Sequence, residues 1–218
     1  MQSDEIDDYI DRHIGAEHPY LHHLYRQTHL HLTRPRMASG HAQGKLLRML
    51  TGMIRPRLVY ELGTYSGYSA LCIASALTPD AVLHTFEKED EIEDFTRPMI
   101  EGSPWADRVQ MHYGDALALL PAVAAALAPE RADMVFVDAD KRRYPEYYEM
   151  LFPLVNVGGY IVADNTLWYG RIVSEALSHD AQTRGILAFN DIIASDPRVE
   201  KVILPLRDGL TIIKKVSE

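Results

Sequence analysis

Oxygen-bearing side chains follow two apolar runs of the sequence. The run FVDADK ends in Asp138, Asp140 and Lys141, and the run YIVADN ends in Asp164 and Asn165. Carboxylate and amide oxygens are hard ligands that suit Mg²⁺ or a similar cation. Asp and Asn also favour turns and helix N-caps, so either strand end taken alone is compatible with ordinary turn chemistry.

A glycine-rich turn lies in the segment VYELGTYSGYSAL, with the spacing E-x-G-x-x-x-G. Gly63 and Gly67 let the backbone turn tightly beside a ligand, and a helix beginning near Tyr68 would point its free amides towards that ligand. The spacing differs from the G-x-G-x-x-G of dinucleotide enzymes. Glu87 ends the next strand, where an acid can accept hydrogen bonds from a ribose diol. With Glu61, this pattern predicts a nucleoside ligand without a pyrophosphate, although Glu87 alone could be a solvated turn residue.

A third strand ends in the residues GDA. Asp115 could bond an adenine amine, or it could cap a helix that begins at Ala116. The sequence leaves both alternatives open.

The elements that must position these residues alternate between β-rich runs and helical segments, which is typical of a parallel sheet covered by helices on both faces. The strands are predicted at RLVYELG, AVLHTFE, RVQMHYG, DMVFVDA and YIVADN. The helices are predicted at 68–77, 89–100, 116–128 and 144–154.

The two ends of the chain differ from this alternating pattern. VEKVILPL and LTIIKKV are separated only by Arg207, Asp208 and Gly209, which predicts an antiparallel hairpin. The first fifty-odd residues are predicted to be helical, with apolar faces formed by Ile6, Tyr9, Ile10 and Ile14 and by Leu46, Leu47, Leu50 and Ile54. We therefore expect one domain over 1–218, with N-terminal helices in 1–56 and an α/β core in 57–218.

The composition limits the classes of partner. The chain has 218 residues with 31 acids and 22 bases, a formal charge of -9 that opposes binding to nucleic acid or an anionic membrane. The acidic start and the short tract 116–128, interrupted by Pro121, predict a soluble cytoplasmic protein. Cys72 is predicted to be a buried reduced thiol.

The motifs ELGTYSGYSAL, FE, YGDA, FVDADK and ADNTLWYG occur in that order. Together they resemble the metal-dependent, S-adenosylmethionine-dependent O-methyltransferases, a family that includes catechol and caffeoyl-coenzyme A O-methyltransferases. The resemblance extends from about Met37 to the C-terminus. It implies a Rossmann-like class I methyltransferase fold, with a mostly parallel seven-stranded sheet, an antiparallel C-terminal hairpin, helices on both faces and extra N-terminal helices.

The resemblance also implies which residues form the site. The cofactor S-adenosylmethionine would be surrounded by Met37, Ser39, Glu61, Gly63, Tyr65, Ser69, Glu87, Asp115, Ala116 and Asp138. A divalent metal, Mg²⁺ or alternatively Mn²⁺ or Ca²⁺, would be held by Asp138, Asp164 and Asn165, with Lys141 beside it.

The implied reaction is methylation of one hydroxyl of a vicinal diphenol, with a caffeoyl-coenzyme A-type substrate as the alternative. A cation would lower the pKa of Lys141 and make it a candidate general base. The alternative is a surface lysine paired with Asp140. Substrate contacts are expected from Asp140, Trp168 and Arg143, but Arg143 and Tyr169 depart from the commonest family pattern and leave the substrate open.

Four histidines lie close together in LHHLYRQTHLHL. We interpret His22, His23, His29 and His31 as the polar face of a helix, because their spacing gives no closed tetrahedral metal site. Together with Arg26, Arg34 and Arg36, they could instead form a basic rim for an acidic substrate tail such as coenzyme A phosphates.

The sequence also bears on two alternative functions and on the oligomeric state. An NAD-dependent oxidoreductase is disfavoured by the glycine spacing and the terminal hairpin. A cofactor-binding protein without activity is disfavoured by the intact set of acids, amide and lysine. The apolar faces of the N-terminal helices predict a homodimer whose helices also cover the substrate mouth.

Overall fold

The computed structural model describes residues 4–174 and 180–218. Its strands are β1 Leu58–Leu62, β2 Val82–Glu87, β3 Val109–Tyr113, β4 Ala132–Val137, β5 Val155–Asp164, β6 Val199–Leu204 and β7 Leu210–Lys215. Its helices are α1 Asp4–His13, α2 Pro19–His31, α3 His41–Ile54, α4 Tyr68–Ala74, α5 Glu93–Glu101, α6 Ala116–Leu127, α7 Tyr144–Leu151 and α8 Ala181–Ser195.

The seven strands of the described residues form one sheet in the order β3-β2-β1-β4-β5-β7-β6. Strands β1 to β5 pair in parallel, and β7 pairs antiparallel with both β5 and β6. The predicted mostly parallel sheet with a C-terminal hairpin is therefore confirmed. In the register of β4 and β5, Val137 lies opposite Ala163. Neighbouring strands are about 5 Å apart, so Asp138, directly after β4, lies close to Asp164, the last residue of β5.

Apolar side chains fill the space on both faces of the sheet, as predicted. On one face, Tyr60 and Phe86 of the strands pack with α6, α7 and α8. On the other face, Val59 and Leu83 pack with α2 to α5. The central strands are buried on both sides, which explains why their sequences are continuous apolar runs without polar alternation.

Four helices differ from the sequence prediction. Helix α7 ends at Leu151 and continues as a 3₁₀ turn over Phe152–Leu154. Helix α4 ends at Ala74, and α5 begins at Glu93 after a short 3₁₀ turn over Asp90–Ile92. Helix α8 has no counterpart in the prediction. Its N-cap is Asp180, whose carboxylate accepts hydrogen bonds from the amides of Gln182 and Thr183.

The N-terminal helices are attached to the α/β core by buried and polar contacts. Leu24 of α2 and Leu47 of α3 are fully buried in the core, and the Tyr20 hydroxyl donates to the Met99 carbonyl at 2.7 Å. In α1, by contrast, the predicted apolar residues Ile6 and Tyr9 are 47% and 57% exposed. This part of the apolar face is therefore exposed, whereas Ile10 and Ile14 on the same face are half-buried.

Cys72 lies inside the core, as predicted. It is buried, makes no disulfide, and its pKa is raised by burial. Over the described residues, no helix combines the length and the apolar character that a membrane crossing needs.

A histidine pair between β2 and β3 is expected to make the stability of the fold depend on pH. His84 Nδ1 lies 2.9 Å from His112 Nε2, and burial lowers the pKa of His84 from 6.5 to about 4. Between these values the unfolded chain binds a proton that the folded chain excludes. This contribution to stability is therefore complete above pH 6.5 and is lost as the pH falls towards 4.

We expect the free energy of unfolding to fall by up to about 3 kcal/mol over this window, at 1.36 kcal/mol per pKa unit. His84→Gln should flatten the dependence, while the exposed control His23→Gln should keep it. Urea unfolding at pH 5 and pH 7 measures both. If the free energy of unfolding changes equally between pH 5 and pH 7 in the wild type and in His84→Gln, the histidine pair does not cause the pH dependence.

Candidate functional site

The predicted site residues lie together at the carboxyl edge of the sheet. The Gly63 amide donates to the Phe86 carbonyl of β2, and the Asp138 amide donates to the Leu62 carbonyl of β1, so the loops after β1 and β4 run side by side. Gly63 has φ +97°, and a Cβ there would lie 2.0 Å from the Asp138 carbonyl oxygen. Only glycine allows this approach, which brings the glycine-rich turn against the acidic strand end.

A buried group of opposite charges occupies this edge. Lys141 is 7% exposed, and its Nζ donates to Asp138 Oδ1 at 2.5 Å. Asp164 is 3% exposed, and burial together with the Asp138 carboxylate raises its pKa to about 6. Burial lowers the pKa of Lys141, but Asp138, Tyr144 and Asp164 outweigh this effect and hold it above its ordinary value.

Two neighbours fix Lys141 in place. The Tyr144 hydroxyl donates to the carbonyls of Val137 and Asp164, which ties the ends of β4 and β5 together under the lysine. Helix α8 approaches so closely that a Cβ at Gly185 would lie 2.2 Å from the Lys141 carbonyl oxygen. The unpredicted helix therefore packs directly against the predicted catalytic residue.

The alternative of a surface lysine paired with Asp140 is wrong. Asp140 instead accepts two hydrogen bonds from Arg142 Nε, at 2.8 and 3.0 Å, and caps the 3₁₀ turn over Lys141–Arg143. Lys141 turns inward because its own partner, Asp138, lies on the buried side.

Glu61 is a second buried acid at this edge. It is fully buried, and burial raises its pKa to about 8 although the nearby hydroxyls of Ser69 and Thr85 oppose the rise. The Thr85 hydroxyl donates to Oε2 at 2.6 Å, and no described residue donates to Oε1. A buried carboxyl oxygen without a partner indicates a site for a polar group of a ligand.

The Glu87 carboxylate accepts hydrogen bonds from the backbone of the glycine-rich turn and of the residues after β2. Its carboxylate accepts from the amides of Tyr65 at 2.6 Å and Glu89 at 2.8 Å. Tyr65 has φ +46°, a left-handed conformation that is uncommon for a tyrosine. The turn is thus held in a particular shape by the residue expected to bind a ribose.

Asp115 has the capping role that the sequence left open. Its Oδ1 accepts from the Leu117 amide at 3.0 Å, beside Ala116 at the start of α6. Its Oδ2 accepts from Arg143 at 2.6 Å. Arg143, predicted as a substrate contact, therefore reaches a residue predicted for the cofactor.

The segment after β5 is held by the C-terminal hairpin. Asn165 has φ +58°, Trp168 is half-buried, and the Tyr169 amide donates to Asp208 Oδ1 at 2.5 Å. The carbonyl of Asp208 accepts from the amides of Leu167 and Trp168. The residues 207–209, predicted only as a turn, therefore position the segment that carries Asn165 and Trp168.

Sequence reasoning missed Gln43 and Arg207. Gln43 Nε2 donates to Asp164 Oδ2 at 2.6 Å, and Arg207 donates to Gln43 Oε1 at 3.0 Å. Arg207 also donates to the carbonyl of Ser39, which is buried, while Met37 nearby is 48% exposed. A glutamine within a helix has no local signature, so only the tertiary contact reveals it.

The histidines of α2 make local contacts. His29 Nδ1 lies 2.9 Å from the Tyr25 carbonyl, and His31 Nε2 lies 3.0 Å from Gln27 Oε1. Across residues 4–174 and 180–218, His, Cys, Asp and Glu side chains form no group of three or more able to hold a metal ion. A cation at the sheet edge would therefore depend on two carboxylates and the Asn165 amide.

Comparisons with known proteins agree with this arrangement. A family profile described as O-methyltransferase matches residues 11–216. Caffeoyl-CoA O-methyltransferase 1 of Eucalyptus globulus is 34% identical over 189 residues, covering 83% of this chain and 76% of that protein. Tricin synthase 2 of Oryza sativa subsp. japonica is 36% identical over 187 residues, covering 83% of this chain and 64% of that protein.

A solved structure matches over the whole chain. The O-methyltransferase TomG from Streptomyces achromogenes, involved in tomaymycin synthesis and solved in complex with S-adenosylmethionine, superposes with a TM-score of 0.90 at 29% identity, covering 100% of both chains. The family profile spans nearly all of the described residues, and the fold agrees from end to end. The chain belongs to the O-methyltransferase family.

Proposed function

We propose that this chain transfers the methyl group of S-adenosylmethionine to one hydroxyl of a vicinal diphenol, with the help of a divalent cation. The observation that carries the proposal is the buried group of Asp138, Lys141 and Asp164 beside the glycine-rich turn. The Lys141–Asp138 ion pair and the carboxylate of Asp164 thus lie close to the point where the loops after β1 and β4 meet. The S-adenosylmethionine bound by TomG supports the identity of the methyl donor.

The residues fit a hard divalent cation. Asp164 is buried beside Asp138, and the repulsion between the two carboxylates contributes to the raised pKa of Asp164. A cation would relieve this repulsion, and Asp138, Asp164 and Asn165 supply two carboxylates and an amide oxygen for it. When bound, such an ion supplies positive charge that favours the ionised form of a substrate hydroxyl.

We propose Lys141 as the general base. A phenol with a pKa of about 10 loses its proton at pH 7 at a cost of about 4 kcal/mol, at 1.36 kcal/mol per unit. The Asp138 and Asp164 carboxylates keep Lys141 protonated, so Lys141 can accept a proton at Nζ only when their negative charge is balanced. The residues around Lys141, namely Tyr144 and α8, exclude water and hold Nζ on the side of Asp138.

Two substrate classes compete for this site. A small catechol fits the proposed chemistry, while the names of the plant relatives support a caffeoyl-coenzyme A-type substrate at least as well. Three exposed arginines in or after α2, Arg26, Arg34 and Arg36, offer charge for an acidic substrate tail. In both classes the reacting group is a vicinal diphenol, so the reaction is the same.

A methyl-transfer screen tests the proposal. Catechol, caffeate, caffeoyl-coenzyme A and a flavonoid with adjacent hydroxyls are each supplied with S-adenosylmethionine, with and without EDTA. We expect methylation that EDTA abolishes and Mg²⁺ restores. Transfer that is unaffected by EDTA would refute the role of the metal, and binding of NAD without transfer to any diphenol would refute the reaction.

Glu61 provides a test of the cofactor site alone. Because Oε1 of Glu61 is buried without a partner, we expect the bound cofactor to place a hydrogen-bond donor there and so to favour the ionised carboxylate. Glu61→Gln should weaken S-adenosylmethionine binding by about 1.5–3 kcal/mol, or roughly ten- to a hundredfold in Kd. The unliganded protein should not lose stability at pH 7, since the glutamine needs no proton to remain neutral.

Calorimetry with S-adenosylmethionine and thermal melting of the unliganded protein measure these two effects. Glu89→Gln, at an exposed neighbour of Glu87, is the matched control and should leave both unchanged. Wild-type affinity in Glu61→Gln would exclude this carboxylate from the cofactor site.

The N-terminal residues 1–56 are proposed to border the substrate mouth and to form a homodimer. Met49 and Met53 on α3 are 60% and 77% exposed, and the neighbouring α1 exposes Ile6 and Tyr9. Exposed apolar side chains on adjoining helices support a protein interface. We expect sedimentation velocity at micromolar concentration to show two copies, and Met53→Asp to shift them towards one; a single copy in the wild type would refute the dimer.

A further inference from the structure

Gln43 lies on α3, is 1% exposed, and uses both ends of its amide group. Its Nε2 donates to Asp164 Oδ2 at 2.6 Å, and its Oε1 accepts from Arg207 Nη1 at 3.0 Å. An ionised carboxylate only accepts hydrogen bonds and a guanidinium only donates them. The two charged neighbours therefore fix which way the amide faces, and the reversed amide would lose both bonds.

The amide holds one edge of the Asp164 carboxylate. The other oxygen, Oδ1, accepts from the Asn165 backbone amide at 2.8 Å. With one hydrogen bond on each oxygen, the carboxylate plane is fixed, and each oxygen keeps lone-pair capacity for a further partner. Asp164 is thus oriented before anything binds to it.

Arg207 connects this amide to a second part of the site. It lies in the turn between β6 and β7 with φ +49°, a left-handed conformation that directs it across to the N-terminal segment. Its Nη1 donates to the carbonyls of Ala38 and Ser39 as well as to Gln43. One guanidinium therefore holds both the loop before α3 and the amide that bonds Asp164.

We infer that Gln43 is a positioning residue for Asp164, that Arg207 sets the orientation of Gln43, and that both residues thereby raise the affinity of the site for a divalent cation. This inference rests on the proposed role of Asp164 as a metal ligand. A hydrogen-bonding partner of a metal ligand typically changes metal affinity by about 10- to 100-fold.

Mn²⁺ binding to the purified full-length protein, without substrate, tests the inference through electron paramagnetic resonance of the free ion. Gln43→Leu, whose apolar side chain is one atom shorter and makes neither bond, should weaken Mn²⁺ binding by about 10- to 100-fold. Arg207→Met should weaken it in the same direction. The double variant should be no weaker than Gln43→Leu, because both changes interrupt one chain of bonds.

Gln110→Leu, at an exposed position of β3, is the control and should bind Mn²⁺ like the wild type. Urea unfolding of each metal-free variant shows whether it folds. Arg207 is on the surface, so Arg207→Met still tests the inference if Gln43→Leu does not fold. Wild-type Mn²⁺ affinity in folded Gln43→Leu or Arg207→Met, or additive losses in the double variant, would overturn the inference alone. Wild-type protein without saturable Mn²⁺ binding would overturn the metal role and this inference together.

Discussion

Lys141→Met is expected to lower the rate of methyl transfer at neutral pH by about two to four orders of magnitude, the range typical of a lost general base. Methionine is unbranched like lysine, ends one atom earlier at Cε, and lacks the amine. The change lies next to Asp138, whose Oδ1 is 2.5 Å from Nζ, and leaves the Glu61 and Glu87 part of the site in place. The affinity for S-adenosylmethionine should therefore remain within about twofold, since the loss falls on the reacting hydroxyl.

The pH dependence separates a lost base from a damaged site. As the pH rises towards the pKa of the phenol, more substrate ionises without help, so the rate of Lys141→Met should rise towards that of the wild type. Single-turnover rates with a catechol at several pH values, together with calorimetry for the cofactor, measure both effects. Lys201→Met, at an exposed position of β6, is the control and should be indistinguishable from the wild type.

A wild-type rate for folded Lys141→Met at pH 7 would refute the role of Lys141 as general base. Positive charge near the hydroxyl would then have to ionise the substrate without a side-chain base. If the rate of methyl transfer in Lys141→Met is lower by the same factor at every pH, the lysine mainly balances the negative charge of the two aspartates.

The parts of the site that follow strand ends could be predicted from the sequence. Asp138 and Asp164 each follow an apolar run buried on both faces, and parallel neighbours bring their carboxyl ends to one edge. Gly63 could be predicted as a close approach, although the sequence did not identify its neighbour as the Asp138 carbonyl. These features depend on short stretches of chain whose chemistry is visible locally.

The parts that depend on distant pairing could not be predicted. Arg207 meets Gln43 across the fold from the opposite end of the chain, and neither residue type indicates its partner. Helix α8 was missed for a related reason: it contains Gly185, a poor helix former, at the position where α8 approaches the Lys141 carbonyl. There the need for close packing overrides local helix propensity.

Asp164→Asn is expected to remove metal binding and to make the unliganded protein more stable. Asparagine keeps the shape of the side chain and one oxygen acceptor, so it can retain the bond from Gln43 but loses the bond from the Asn165 amide. It also removes one negative charge from a site that holds Asp138 nearby. Mn²⁺ affinity should fall by more than the roughly 10- to 100-fold expected for a partner of a metal ligand, because a charged ligand itself is lost.

The expected gain in stability follows from the pKa of Asp164, which is raised from 3.8 to about 6 by burial and by Asp138. Between these values the folded state binds a proton that the unfolded chain has released, so stability declines as the pH rises through the window. Above pH 6 the wild type has therefore lost stability through this group. Asp164→Asn avoids that loss.

Urea unfolding in the presence of EDTA at pH 5 and pH 8 should therefore show Asp164→Asn more stable than the wild type at pH 8, with a smaller difference at pH 5. Asp191→Asn, on the exposed face of α8, is the control and should show no such gain. With saturating Mg²⁺ the order should reverse, because the cation stabilises only a folded protein that binds it. An Asp164→Asn protein that is less stable than the wild type at pH 8 without metal would contradict this prediction. It would show that the charged carboxylate stabilises the metal-free fold.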